Sequence, residues 1–247
     1  MKKYLGLIGL GITSALSAYQ TPPNWSLTPW LPETLVIESA LKGAYQSCDI
    51  ATVQASLGTA YEPFAAEIGI DTFHSRKVSY AFEDAFLIGR YQWLNQNIGD
   101  PFSVVFGGKF SLVSGLAFRE ANLFHFGNRE FEGFASIGYE QYCSEFATEW
   151  TSRAWLTAGV GVSNRNSPWF TANGAYEYAF SPLCRARIFA DAIVGARWYL
   201  QKGVDVGLAG TYETLYCGAF DFSYAFRVYA EHVSRNVSTV TLCYYYP

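Results

Sequence analysis

The chain has 247 residues; half are hydrophobic and 18% aromatic, but only 15% are charged, with a formal net charge of −4. A soluble domain carries about a quarter charged residues, so this chain is unusually apolar. A mean hydropathy of +0.06 is nevertheless too low for a helical membrane bundle, and with no basic run, nucleic-acid binding is excluded.

Residues 1–18 read as a secretory signal. Lys2 and Lys3 precede the short apolar run Tyr4–Ile12, and Thr13–Ala18 is small, with Ala15 and Ser17 placed for cleavage after Ser17. Its removal leaves 15 basic against 21 acidic residues, a net charge of −6. Residues 19–33 hold four prolines and two tryptophans and read as an extended periplasmic lead-in. After the signal no apolar run approaches the ~18 residues of a membrane helix.

From Thr34 to the end the chain alternates apolar and polar residues, the period of a strand with two different faces. Thr34–Gln46 carries Glu38 and Lys42 on its polar face. Ala51–Thr59 follows, then a turn at Ala60–Pro63, then Phe64–Thr72 with Glu67 and Asp71. In Ser79–Trp93, adjacent Glu83 and Asp84 fall on opposite faces, which predicts a bulge. Phe102–Ser114 carries Lys109. The longest connection, Gly115–Asn128, contains Arg119, Glu120 and His125. Arg129–Tyr142 carries Glu130, Glu132 and Glu140; Trp150–Val162 carries Arg153; Trp169–Phe180 carries Glu177. Cys184–Trp198 carries Arg185, Arg187, Asp191 and Arg197, and Val204–Glu213 carries Asp205 and Glu213. Tyr216–Glu231 alternates most clearly, with Phe220, Phe222, Tyr224 and Phe226 against Asp221, Ser223 and Arg227. Asn236–Tyr246 closes the chain.

Twelve such segments, mostly 9–15 residues long, exceed the usual strand of about five or six and suit a tilted membrane strand of ~9–11. Two folds satisfy the pattern. A soluble periplasmic sandwich would bury the aromatic faces; a membrane barrel would turn them to lipid. Long strands, aromatic rather than branched apolar faces, and aromatics near strand ends (Trp93, Trp150, Trp169, Trp198, Tyr246) favour the barrel.

On these features the chain resembles outer-membrane β-barrel proteins of Gram-negative bacteria. The resemblance implies an all-β fold, a transmembrane antiparallel up-and-down barrel of about 12 strands over residues 34–247. It also implies an outer-membrane location among outer-membrane lipid, and insertion by the barrel-assembly machinery. The last strand, Val240–Tyr246, ends on aromatics as such barrels do, although Pro247 follows.

The polar faces then line a lumen. Its expected charge network is Glu38, Lys42, Glu67, Asp71, Lys109, Glu132, Glu140, Arg153, Glu177, Arg185, Arg187, Asp191, Arg197, Asp205, Glu213, Asp221 and Arg227. Such a network suits either a narrow channel or solute-binding lumen with small-solute passage, or a plugged structural body. The three histidines, His74, His125 and His232, lie in or beside connections and lack metal-ligand spacing, so neither metal nor cofactor is expected. His232-Val233-Ser234 is similar to a motif of outer-membrane phospholipase A and lipid A deacylase barrels. That likeness implies His232 as general base and Ser234 as nucleophile on the lipid-facing rim; the Asn that follows the serine there is Arg235 here. The expectation is therefore a non-enzymatic barrel, with a lipid hydrolase and a soluble periplasmic β protein as alternatives. Of five cysteines, Cys217 and Cys243 fall on one face, but a hairpin centred near residue 234 sets Cys243 opposite Ala225.

Overall fold

A computed structural model describes residues 28–31, 37–142, 150–181, 183–214 and 218–246. The signal, most of the lead-in, Cys143 and Cys217 lie outside these described residues. The strands are β1 (Ile37–Gln46), β2 (Ile50–Tyr61), β3 (Phe64–Ser75), β4 (Val78–Leu94), β5 (Ser103–Val113) and β6 (Arg129–Tyr142). They continue with β7 (Trp150–Ser163), β8 (Pro168–Ser181), β9 (Cys184–Gly195), β10 (Lys202–Thr214), β11 (Gly218–Glu231) and β12 (Ser238–Tyr246). Each pairs antiparallel with its neighbours in sequence, and β1 pairs with β12, so the sheet closes into an up-and-down barrel. Closure removes both sheet edges, which is what lets strands cross a bilayer without orphaned backbone groups.

The two faces separate as the alternation requires. On β11, Phe220, Phe222, Tyr224 and Phe226 are exposed, whereas Asp221 and Arg227 are buried inside. The same holds around the wall: Leu57, Ile68, Leu87, Phe131, Leu156, Ile188 and Leu208 all face outward. A closed sheet with its apolar face outside excludes the sandwich, because no second sheet covers that face. No helix among the described residues is long and apolar enough to cross a membrane.

The inward face solves a packing problem with glycine. Each of four inward aromatic rings lies over a glycine directly across the ladder: Phe86 over Gly69, Phe134 over Gly107, Phe189 over Gly207 and Trp169 over Gly161. A β-carbon at these glycines would lie 2.0–2.4 Å from the ring, so the rings fold flat against the wall only because no side chain opposes them.

The predicted bulge is present. Asp71 pairs with Asp84 and Thr72 with Phe82, leaving Glu83 unpaired, so Glu83 and Asp84 both end up buried inside. A second shift was not foreseen. Asp205 pairs with Arg227 but Val204 with Tyr229, so Val228 is skipped and the alternation of β11 reverses above it. Cys243 pairs with Asp221 rather than near Ala225, since the last hairpin is centred two residues earlier than expected.

Candidate functional site

The lumen is the candidate site. It holds a chamber of about 490 Å³, whose lining runs from Thr28 at one end to Asn122, Leu123 and Phe124 at the other. Lys42, Glu67, Asp71, Lys109, Arg187, Asp191, Asp205, Asp221 and Arg227 line it between, together with Phe86, Trp155 and Phe189.

On one side of the wall the arginines are chained to carboxylates. Arg153 donates from Nη2 and Nε to Glu177 Oε2 at 3.1 and 3.3 Å, and its Nη1 lies 3.8 Å from Glu140. Its guanidinium also stacks 4.0 Å from the Trp150 ring. Arg185 is in contact with Glu213 and reaches Glu177 at 3.6 Å. Arg187 meets Asp221 at 3.5 Å, and Arg227 grips Asp205 with two hydrogen bonds of 2.8 and 3.2 Å. This ladder follows directly from register: Glu140 faces Arg153, Arg153 faces Glu177, Glu177 faces Arg187, and Asp205 faces Arg227. Elsewhere Glu132 accepts from Thr171 and Trp169, and Asp191 accepts from Asn173. Glu67, Asp71 and Asp191 make no salt bridge among the described residues, and Asp71 is held by Gln54 at 3.1 Å. Glu38, also expected in the lumen, is buried inside β1, and Arg90 lies near both Glu38 and Glu67.

Arg197 is a correction. β9 ends at Gly195, so Arg197 lies in the following loop, exposed, with Nη1 donating to the Tyr199 hydroxyl at 2.7 Å. It belongs to the rim and not to the lumen.

Both mouths are partly covered. At the mouth where β1 begins, Thr28, Pro29 and Trp30 sit inside the barrel, enclosed. Arg90 donates to the Trp30 carbonyl at 3.3 Å and Gln92 to the Pro29 carbonyl at 3.4 Å. Trp30 packs edge-on against Trp155, and Pro29 and Trp30 rest on the bare backbone of Gly138. Sequence reasoning missed this plug; its signal was a Trp-Pro-rich segment with little reason to be soluble.

The opposite mouth is crossed by the β5–β6 connection, residues 114–128, which forms two short 3-10 turns at Ala117–Arg119 and Ala121–Leu123. Near its base, His125 bridges Glu83 at 3.2 Å and Glu130 at 3.4 Å. Glu130 also receives the backbone N–H groups of Phe126 and Gly127. Phe126 stacks on Trp169 at 4.8 Å. Burial alone would lower the His125 pKa, but hydrogen bonds and charge from Glu130 and Glu83 outweigh it and raise it to about 9. Across the mouth, Asn122 donates from Nδ2 to Ser234 Oγ at 3.1 Å and accepts the Ser234 N–H at 2.9 Å.

Those contacts decide what His232 and Ser234 do. His232 adopts a left-handed backbone (φ 59°) that ends the strand, and its Nε2 contacts the Trp198 carbonyl at 2.7 Å. The Ser234 hydroxyl meets Asn122 instead. With the β11 alternation already reversed, the outward parity expected for this pair does not hold, and no base–nucleophile hydrogen bond is built. His74 contacts the Val78 carbonyl through Nδ1 and stacks on Tyr80 at 5.1 Å. Among the described residues no group of three His, Cys, Asp or Glu is disposed to hold a metal.

No protein-family model matches the sequence, and no curated protein sequence matches it. Solved structures do match the fold. The NanC porin superposes with a TM-score of 0.62 at 8% identity, over 85% of this chain and 99% of that one. The KdgM porin in complex with disordered oligogalacturonate gives 0.60 at 9% identity, over 85% and 98%. An outer-membrane channel from Pseudomonas putida F1 gives 0.59 at 9% identity, over 92% and 99%. The chain therefore has the fold of outer-membrane porins.

Proposed function

We propose that this barrel is a narrow outer-membrane channel for small solutes in a Gram-negative envelope, with a lumen that favours cations. The fold, the lipid-facing apolar wall and the polar chamber support the channel. The observation that carries the preference is the state of the lumenal charges. The arginines that line the chamber, Arg187 and Arg227, are engaged by Asp221 and Asp205, and the remaining carboxylates Glu67, Asp71 and Asp191 outnumber the remaining cations Lys42 and Lys109. Pore-lining carboxylates in excess over the lumenal cations attract cations into a low-dielectric passage. An acidic oligosaccharide such as the one seen with the KdgM porin would find the arginines it needs already occupied.

The test is planar-bilayer recording of the refolded protein under a KCl gradient. The expected reversal potential reports potassium over chloride, and Glu67→Gln with Asp71→Asn moves it toward zero. A chloride preference in the wild type would sink the cation assignment. Absence of conductance in both the wild type and a variant lacking the plug would sink the channel.

A further inference from the structure

We infer that the mouth opposite the plug docks phosphorylated glycolipid of the outer leaflet through a ring of basic side chains; this rests on the outer-membrane placement proposed above. Beyond Lys2 and Lys3 the chain has 15 Lys and Arg residues. Seven belong to the lumen: Arg90, Arg153, Arg185 and, lining the chamber, Lys42, Lys109, Arg187 and Arg227.

All the others stand at one mouth. Arg76 and Lys77 make the β3–β4 turn, Arg119 lies in the β5–β6 connection and Arg129 opens β6. Arg165 caps the β7–β8 turn, Arg197 lies between β9 and β10, Lys202 opens β10 and Arg235 lies between β11 and β12. All but Lys202 are exposed. The described residues that join strands at the plugged mouth include no Lys or Arg; they carry Glu62 and Asp100. A solubilising charge would be spread over both mouths, so the one-sided placement calls for a one-sided partner.

The ring is largely unneutralised. Arg76 pairs with Asp49 at 2.9 Å and Lys202 with Glu231 at 2.5 Å. Glu83 and Glu130 are turned inward to His125. Arg119, Arg129, Arg165, Arg197 and Arg235 have no salt bridge among the described residues.

The height of the ring identifies the partner. Outward-pointing Tyr80 (77% exposed), Trp198 (80%) and Tyr229 mark the aromatic girdle at this mouth. Arg197 is bonded to Tyr199, which packs edge-on against Trp198 of that girdle, and this puts its guanidinium at headgroup level. Guanidinium forks match phosphate oxygens in pairs, and lipid phosphates lie at that level. A soluble anion drawn to the pore would instead need guanidinium groups aimed into the lumen, and the arginines there are already paired with carboxylates.

The experiment uses the refolded full chain in detergent, titrated with lipopolysaccharide, with the same lipopolysaccharide stripped of its lipid A phosphates, and with inorganic phosphate; retained lipid is read by native mass spectrometry. Phosphorylated lipid is expected to be retained and the stripped form lost. Replacing Arg165, Arg197 and Arg235 together by Ser should weaken retention roughly a hundredfold, at about fivefold per side chain near an anionic surface. Lys at the same positions should restore part of it, the charge without the fork. Single Arg197→Gln and Arg235→Gln variants give the same readout if the triple variant does not fold. Equal binding of both lipids overturns the docking, as does binding of phosphate alone. A triple variant that conducts normally yet holds the lipid also overturns it. A wild type that inserts into no bilayer overturns the placement itself, a distinct failure.

Discussion

Arg153 is the clearest place to perturb the lumen. Its side chain is 0% exposed and holds Glu177, itself 1% exposed, with Glu140 on its other side. Removing the cation by Arg153→Met takes away the closest ion pair of Glu177 and leaves it the longer contact to Arg185 at 3.6 Å, with Arg187 across the ladder. A carboxylate stranded in that way costs about 3–5 kcal/mol of stability. Replacing both partners, Arg153→Met with Glu177→Gln, removes the more tightly bonded of the two carboxylates that lose Arg153 and nearly keeps the volume, while Glu140 retains its Tyr142 hydroxyl, so most of the loss should return. Equilibrium unfolding in urea, with the barrel reconstituted in lipid vesicles, measures all three proteins. The expected order is wild type, then the double variant close behind, then the single variant well below. If the double variant is as unstable as the single, the cost lies in lost packing against Trp150 and Trp155 rather than in the charge.

Three further outcomes follow from the same structure. Gly138→Ala would place a methyl 2.4 Å from Pro29, so it should expel the plug and raise single-channel conductance; an unchanged trace would mean that the plug does not limit flow. The His125 pKa is raised, so its ion pairs stabilise the mouth loop fully below about pH 6.5 and lose that contribution as pH rises through about 9. Trp169 emission, reporting its stack on Phe126, should therefore change near pH 9, and the change should vanish in His125→Gln. Leu208→Arg, on the 63% exposed lipid face of β10, should destabilise the barrel in vesicles by about 2–4 kcal/mol, whereas Thr241→Lys in the lumen should be nearly neutral.

Strand number, orientation of faces and most lumenal charges could be read from sequence because period two is a local signal. Glu177 and Arg187 share a face whatever else happens, and pairing of neighbouring strands brings them together. What failed was set by longer-range contacts. One skipped residue, Val228, reversed the parity that had carried His232 and Ser234 outward. β9 stops at Gly195, where the chain turns back and the Gly195 N–H donates to the Gln201 carbonyl at 2.9 Å, and this moved Arg197 to the rim. Neither the inward course of Thr28–Trp30 nor that of residues 114–128 has a periodicity to reveal it. Both depend on partners far along the chain, Arg90 and Gln92 for one, Ser234 and Trp169 for the other.

The glycine–aromatic pairs separate the calibre of this barrel from its strand number. Each ring is parked in a notch one residue wide, so adding a methyl at Gly69, Gly107, Gly161 or Gly207 swings an aromatic into the passage. Removing a ring opens a recess of similar size. The aperture is thus adjustable at several heights by single substitutions that leave hydrogen-bond register, hoop circumference and lipid contact untouched. A lineage could change what passes through such a wall without ever rebuilding it.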